Sequence, residues 1–300
     1  MRIALSLAGL FAFAAFARLD AQSTFKVETR LVRLLVNVRN PEGQMVGSLP
    51  RDQFIVYDCG VRQEVSFFER YTTRPLSVAL LVDTSGSTRK DWLAEVRSMK
   101  RFLSALFREG NERDTAALYT FNYDVTAQSN FTRDARRLEE RLRTIKPEGG
   151  TSLYDAIHFA ASELQRRDGR HVIVLVSDGG NTTSSKPFED ARIAAQRADA
   201  VMYPIVIVPI ENDAGRNLGG EHALQTLASD TGGRWFDPTV GDALDKTFEE
   251  ILRDLRAQYM IGYYPRNLKD APKFHPVRVE LNRKDLQAQT RTGYYGDESR

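Results

Sequence analysis

Five oxygen-bearing side chains follow or precede segments with strong strand or helix patterns. They are Asp83, Ser85, Ser87, Thr151 and Asp178. Carboxylates and hydroxyls are hard oxygen donors, which suit Mg²⁺, Mn²⁺ or Ca²⁺ and do not suit zinc. Two carboxylates balance the charge of a divalent ion, and the neutral hydroxyls leave it electrophilic. Since Mg²⁺ tends to keep exchangeable water ligands, a carboxylate from another molecule could complete its coordination.

The neighbouring segments explain how these side chains could meet. Residues 76–82 form a short apolar run, typical of a strand buried on both faces of a parallel sheet, and Asp83 follows it directly. Residues 172–176 form a second such run ahead of Asp178, and Thr151 precedes a helical pattern. Because ligands bind beyond the carboxyl ends of strands in open α/β sheets, we expect the three loops to meet at one edge.

Each piece also has a simpler interpretation. Asp and Ser in residues 83–87 often form surface turns, because their side chains bond to their own backbone. Thr151 alone is most simply a helix N-cap, and Asp178 before two glycines is most simply a turn residue. It is the combination of the three pieces, in this order, that favours a metal site.

The combination resembles the metal-ion-dependent adhesion site of von Willebrand factor type A domains. Residues 83–87 match the family's D-x-S-x-S motif, Thr151 its lone threonine and Asp178 its second aspartate. The resemblance covers about residues 74–258. It implies a Rossmann-like α/β domain, one bound Mg²⁺ (or Mn²⁺ or Ca²⁺), and a protein partner that supplies an Asp or Glu carboxylate to the metal.

The pattern of elements divides the chain into three parts after its first 21 residues. Strands and helices alternate in residues 74–258, which predicts a mostly parallel central sheet with helices on both faces. Residues 22–73 and 259–300 carry β patterns instead, and neither flank is large enough to be stable alone. We therefore expect the flanks to pair into one small antiparallel β-sandwich, with the central domain inserted between them. The alternative is two separate extensions.

The beginning of the chain predicts export. Arg2 is followed by an uncharged apolar stretch at residues 3–17, which is too short to span a bilayer comfortably. Cleavage after Ala17 or Ala21 would remove it as a signal peptide, and the alternative is an uncleaved anchor. No later segment has the length and apolar character of a membrane span, so we expect a periplasmic or secreted protein. The flanks also resemble a group of exported bacterial proteins with this domain.

Composition excludes some partners and chemistries. The net charge is only +2 with 27% charged residues, which gives no overall attraction to nucleic acid or anionic lipid. The single cysteine, Cys59, cannot form an internal disulfide. We interpret it as an incidental thiol, because no histidine lies close to it in the sequence.

Three functions remain open on this basis. The first is a non-enzymatic adhesion or assembly module that binds a protein partner through its metal. The second is a hydrolase in which the same metal activates water; it would need a second metal nearby or a general base, for which Asp124 and Asp155 are the candidates. The third is a scaffold whose metal only stiffens the loops.

Overall fold

The structure is a computed structural model that describes residues 31–71, 73–207, 217–266 and 272–296. The predicted signal peptide, residues 1–21, lies outside this part of the chain. None of the helices in the described ranges is long and apolar enough to cross a membrane.

The described residues form β-strands in three sheets. The strands are β1 (Val32–Arg39), β2 (Phe54–Asp58), β3 (Val61–Gln63), β4 (Val65–Glu69), β5 (Leu76–Asp83), β6 (Thr115–Phe121), β7 (Val125–Ala127), β8 (Arg170–Ser177), β9 (Ala200–Val206), β10 (Tyr259–Tyr263), β11 (Phe274–Leu281), β12 (Gln287–Gln289) and β13 (Gly293–Tyr295). Two sheets have four strands, in the orders β12-β1-β10-β4 and β13-β11-β2-β3. The third has five, in the order β7-β6-β5-β8-β9.

Six α-helices accompany these strands in the described part of the chain. They are α1 (Trp92–Glu109), α2 (Ala135–Thr144), α3 (Leu153–Leu164), α4 (Phe188–Arg197), α5 (Leu218–Thr231) and α6 (Asp242–Arg256). A short 3₁₀ helix, Gly86–Lys90, lies between β5 and α1.

The five-stranded sheet is covered by helices on both faces. Its central strand β5 runs parallel to β6 and β8, and all eight residues of β5 are buried. On one face Val78 and Leu80 belong to a core with α1, α2 and α6, while Ala79 and Leu81 on the other face belong to a core with α3, α4 and α5. Only β7 is antiparallel to its neighbour among the described strands of this sheet. The predicted α/β fold with a mostly parallel sheet is confirmed.

The two flanks of the chain pair with each other in antiparallel sheets. Strand β1 pairs with β10, with Val32 opposite Tyr263, and β2 pairs with β11, with Phe54 opposite Leu281. Each four-stranded sheet thus contains strands from both flanks, and buried residues of both sheets form one core. The predicted β-sandwich is confirmed, and the alternative of separate extensions is wrong. The domain boundaries at residues 73 and 258 stay predictions.

A charged contact joins the sandwich to the central domain. Arg39 of β1 forms an ion pair with Asp254 of α6, whose side chain is almost fully buried, at 2.5 Å. The Arg39 Nη1 atom also donates a hydrogen bond of 3.0 Å to Gln289 Oε1 of β12. Both flanks and the last helix of the central domain therefore meet at one guanidinium group.

Some elements have weak sequence patterns and were not predicted. Helix α4 buries mainly alanines, Ala191, Ala194 and Ala195, so its apolar periodicity is faint. Strands β3, β7 and β12 have only three residues each, too few for a clear alternation. The segment 234–236, whose pattern predicts an edge strand, contributes a single bridge between Phe236 and Ile205.

Candidate metal centre

The loop after β5 is fastened to the loop before α3 by backbone hydrogen bonds. Gly86 N donates to Gly149 O at 3.1 Å, and Glu148 N donates to Thr84 O at 2.8 Å. A Cβ atom on Gly86 would lie 3.7 Å from Gly149 O, so the two chains lie in close contact. The edge of the sheet thus carries the 83–87 loop and the Thr151 loop side by side.

Hydroxyl and carboxylate groups from two loops form a connected chain. The Ser85 and Ser87 hydroxyl oxygens are 3.0 Å apart. The Ser87 hydroxyl donates to Asp178 Oδ2 at 2.5 Å, and the other oxygen of that carboxylate accepts from Gly180 N at 2.9 Å. Three of the five predicted ligands are therefore in direct contact, although Asp178 comes from a different strand end than the two serines.

Asp83 lies at the base of this arrangement and is 1% exposed. Its Oδ1 atom accepts from Ser85 N at 2.9 Å, and its Oδ2 atom accepts from the Ser177 hydroxyl at 2.6 Å. Ser177 was not predicted as a site residue, although it directly precedes Asp178. By holding the Asp83 carboxylate, it links the end of β8 to the end of β5.

Thr151 is not used as a helix cap. The N-cap of α3 is Ser152, and the first amides of the helix, Leu153 N and Tyr154 N, donate instead to the side chains of Asn181 and Ser184. These two capping residues were not predicted, although they belong to the polar run after Asp178. The simpler interpretation of Thr151 is wrong, and its hydroxyl remains for another role.

The Thr151 hydroxyl faces the Asp178 loop. A Cβ atom built on Gly180 would lie 3.0 Å from Asp178 Oδ1 and 3.7 Å from Thr151 Oγ1. The backbone supports this placement, since Thr151 O accepts from Thr182 N at 2.9 Å and from Thr183 N at 3.1 Å. The third predicted loop therefore lies beside the other two.

Several carboxyl groups lie close together at this edge of the sheet. Burial raises the pKa of the Asp83 carboxyl to about 6; the charge of Asp178 adds to the shift, and the hydrogen bonds from Ser177 and Ser85 oppose it. Burial likewise raises the pKa of Glu95, on α1, to about 8, with further contributions from nearby carboxylates, the largest from Asp83. A cation bound at the edge would offset the repulsion between these carboxylates.

The donor set fits a hard divalent cation. Neighbouring oxygen ligands of an octahedral Mg²⁺ lie about 3 Å apart, given bond lengths of about 2.1 Å. The oxygen–oxygen distances of 3.0 Å and 2.5 Å along Ser85, Ser87 and Asp178 are close to this spacing. Asp83, Ser85, Ser87, Thr151 and Asp178 stay the predicted ligands of such an ion.

Comparisons with known proteins agree with this architecture. A family model described as von Willebrand factor type A domain matches residues 78–181. A search of curated proteins gave no significant match. The fold is similar to the vWF domain of the type V pili tip protein Mfa5 from Porphyromonas gingivalis, with a TM-score of 0.51 and 15% identity, over 61% of this chain and 95% of that chain.

Two further solved structures are similar. The PilB minor pilin from Streptococcus sanguinis matches with a TM-score of 0.50 and 14% identity, over 62% of each chain. The pilus adhesin SpaC from Lactobacillus rhamnosus GG matches with a TM-score of 0.51 and 11% identity, over 85% of this chain and 47% of that chain. At these identities the likeness concerns the fold. Together with the family match, it establishes that this chain contains a von Willebrand factor type A domain.

Proposed function

We propose that the chain is an exported protein-binding module that recognises its partner through one divalent cation. Asp83, Ser85, Ser87, Thr151 and Asp178 would hold the ion, Mg²⁺ or in its place Mn²⁺ or Ca²⁺. The observation that carries the proposal is the contact between the Ser87 hydroxyl and the Asp178 carboxylate, which joins two of the three loops.

The proposed roles follow from the charges of the five side chains. Asp83 and Asp178 balance the charge of the cation, while the three hydroxyls add neutral ligands. When bound, the cation supplies an electrophilic coordination position that an Asp or Glu of the partner can fill. The buried position of Asp83, fixed by Ser85 N and the Ser177 hydroxyl, keeps the site in one arrangement before the partner arrives.

Exposed apolar side chains beside the three loops support a protein as the partner. Leu93, in the first turn of α1, is 75% exposed, and Leu218, at the start of α5, is 71% exposed. Tyr123 is 63% exposed, and its ring lies over Gly149 and Gly150. Apolar side chains are suited to the buried core of an interface with another protein, and tyrosine is enriched among the residues that carry binding energy.

The contacts of the two candidate bases argue against a hydrolase. The Asp155 carboxylate accepts hydrogen bonds from Ser185 N at 2.9 Å and from Lys186 N at 2.8 Å, so it orders the following loop. Asp124 is exposed in a tight turn with Asn122, to which it is joined through the backbone. Neither carboxylate is held towards the five ligands by a described contact. We therefore propose a non-enzymatic role.

The comparisons support the same kind of function. The similar structures include a pilus tip protein, a minor pilin and a pilus adhesin. Their names place all three on pili, and one of them is named as an adhesin. For this chain we propose the coarser role of protein binding outside the cytoplasm, which also accords with the predicted signal peptide at residues 1–21.

Capture of partners with and without chelator tests the proposal. The purified chain is immobilised and exposed to exported proteins of its host in Mg²⁺ or in EDTA. Thr151→Val removes one proposed ligand, and Thr226→Val, which removes a hydroxyl that bonds to helix α5, is the matched control. We expect a partner that is retained by the control in Mg²⁺ and is lost in EDTA and with Thr151→Val. Equal retention in EDTA would show that recognition does not use the metal.

A further inference from the structure

The sandwich brings a histidine to the only cysteine of the chain. Asp58 is opposite Val277 in the antiparallel pair of β2 and β11, which places the turn after Asp58 beside His275. The Cys59 Sγ atom is 3.8 Å from His275 Nδ1, and Asp58 Oδ1 is 3.4 Å from the same nitrogen. All three ligand atoms lie within 4.8 Å of one another. These residues belong to other elements than the five proposed ligands of the central domain.

One oxygen of the Asp58 carboxylate has no hydrogen-bond partner. Asp58 is 2% exposed, and its Oδ2 atom accepts from the hydroxyls of Tyr263 at 2.9 Å and Tyr294 at 2.8 Å. These two donors fix the orientation of the carboxylate. The buried Oδ1 atom is left without a hydrogen bond and faces His275, which is a costly arrangement unless another group binds there.

The backbone at Cys59 is also unfavourable for this residue type. Cys59 and Gly60 form the two-residue turn between β2 and β3, and their φ angles are 48° and 78°. Turns with positive φ at both positions favour Asn followed by Gly, because few other side chains tolerate this region. A cysteine at the first position therefore needs a reason other than turn stability.

We propose that Asp58, Cys59 and His275 form a second metal site that binds Zn²⁺. Thiolate and imidazole ligands suit zinc and distinguish this site from the all-oxygen site of the central domain. A tetrahedral zinc ion separates nitrogen and oxygen ligands by about 3.3 Å and nitrogen and sulfur ligands by about 3.5 Å. Two of the three observed separations, 3.4 Å and 3.8 Å, are close to these values, and the third pair, Asp58 and Cys59, lies within 4.8 Å.

The surroundings of the three residues match those of metal ligands in proteins. The tyrosine hydroxyls on Asp58 Oδ2 orient the ligating carboxylate from behind, as partners in the second coordination layer do. His275 is 6% exposed, and its ring stacks on Tyr294 with centroids 4.7 Å apart, which fixes its plane. Cys59 reaches the surface. With three protein ligands, the fourth position is left to water on the exposed side.

The competing interpretation is an ion pair between Asp58 and a protonated His275 without metal. In that arrangement the sulfur of Cys59 is a hydrogen-bond neighbour of His275 and ligates no metal, so a measurement specific for sulfur ligation separates the two. Co²⁺ serves as the probe, because a thiolate ligand gives it a charge-transfer absorption band in the near ultraviolet. The full chain is prepared without a histidine tag and reduced with a phosphine, because thiol reductants bind zinc.

Three variants make the experiment decisive. Cys59→Asn removes the sulfur but suits the turn, so the metal-free variant is expected to be at least as stable as the wild type. His275→Gln removes the nitrogen ligand, and His222→Gln on the exposed surface of α5 is the matched control. We expect one equivalent of Co²⁺ with a sulfur band in the wild type and the control. The band should disappear on addition of Zn²⁺, and should be absent in Cys59→Asn.

The experiment also tests the zinc site separately from the proposed metal site of the central domain. Asp83→Ala is expected to leave the sulfur band unchanged, because Asp83 belongs to the other site. In His275→Gln we expect Co²⁺ affinity to fall at least tenfold. Absence of the sulfur band in wild type with Co²⁺ in excess, or an equal affinity of wild type and Cys59→Asn for Zn²⁺ by competition with a chromophoric chelator, would overturn the zinc site.

Discussion

The Ser87 hydroxyl donates a hydrogen bond of 2.5 Å to the Asp178 carboxylate, although the two residues are 91 positions apart in the sequence. The contact exists because β5 and β8 are adjacent parallel strands whose carboxyl ends meet at one edge. Asp83 and Glu95 add buried carboxyl groups close to this contact. The edge therefore combines pre-positioned oxygen ligands with carboxyl groups whose ionisation is opposed by burial and by their neighbours' charges.

Removal of metal should make stability depend on pH through Glu95. Its pKa, raised from 4.5 to about 8 by burial and then by the charges of neighbouring carboxylates, means that the folded state holds a proton that the unfolded state releases. Stability in EDTA should therefore fall as pH rises from about 6 to 8, by on the order of 1.4 kcal/mol for each pH unit in this window. Urea unfolding at several pH values measures this slope.

Glu95→Gln tests the assignment, because the amide is neutral at every pH. Above pH 6 the variant should be more stable than the wild type and should lose most of the slope. Below pH 6 a slope should persist, since the pKa of Asp83, about 6, is also raised above its ordinary value of 3.8. The exposed Glu249→Gln serves as control. Identical pH profiles for Glu95→Gln and wild type would contradict the account.

Two adjacent glycines at the start of α5 should respond very differently to alanine. A Cβ atom on Gly220 would lie 1.8 Å from Gly179 O, whereas a Cβ atom on Gly219 would meet nothing closer than Asn217 Oδ1 at 3.7 Å. Gly220→Ala should therefore destabilise the chain by about 1–3 kcal/mol. Gly219→Ala should be neutral or stabilising by up to about 1 kcal/mol, because alanine favours helix.

The same pair of variants probes the metal centre. Gly179 follows Asp178 directly, so displacement of the helix by Gly220→Ala should also shift the Asp178 carboxylate. We expect weaker Mg²⁺ binding in calorimetry for this variant and unchanged binding for Gly219→Ala. A normal Mg²⁺ affinity in a folded Gly220→Ala protein would show that the contact with α5 does not position the site.

Pairing of the two flanks should be sensitive to one buried hydroxyl. Tyr259 in the C-terminal flank donates to Val46 O at 2.7 Å and accepts from Leu49 N at 2.9 Å, both in the N-terminal flank. Tyr259→Phe leaves these backbone groups unpaired and should cost about 1–3 kcal/mol in urea unfolding. Tyr264→Phe, whose side chain is 48% exposed, should change stability by less than about 0.5 kcal/mol. Equal losses of stability in Tyr259→Phe and Tyr264→Phe would argue against the described pairing of the two flanks.

The central fold could be predicted because its signals are local. The apolar runs of β5 and β8 must be buried on both faces, and parallel strands present their carboxyl ends at one edge. This physical constraint is sufficient to bring Asp83 and Asp178 together without knowledge of the rest of the chain. In the same way, the alternation of strands and helices predicted a sheet covered by helices on both faces.

Contacts that depend on the register of distant strands could not be predicted. Cys59 and His275 are 216 positions apart, and only the pairing of β2 with β11 places them side by side. The sequence therefore gave no reason to associate the thiol with a histidine. The capping of α3 by Asn181 and Ser184 was missed for a similar reason, because a helix N-terminus is expected to be capped from its own sequence.

Calorimetric titration with Mg²⁺ in the wild type and in Asp83→Ala tests the central claim most directly. Circular dichroism first establishes that the variant is folded. The account predicts binding of one Mg²⁺ per wild-type chain, together with a rise in melting temperature of roughly 5 °C or more near saturation. Both effects should be absent in Asp83→Ala. The same binding and the same rise in wild type and variant, or no binding in either, would contradict a metal centre at this edge of the sheet.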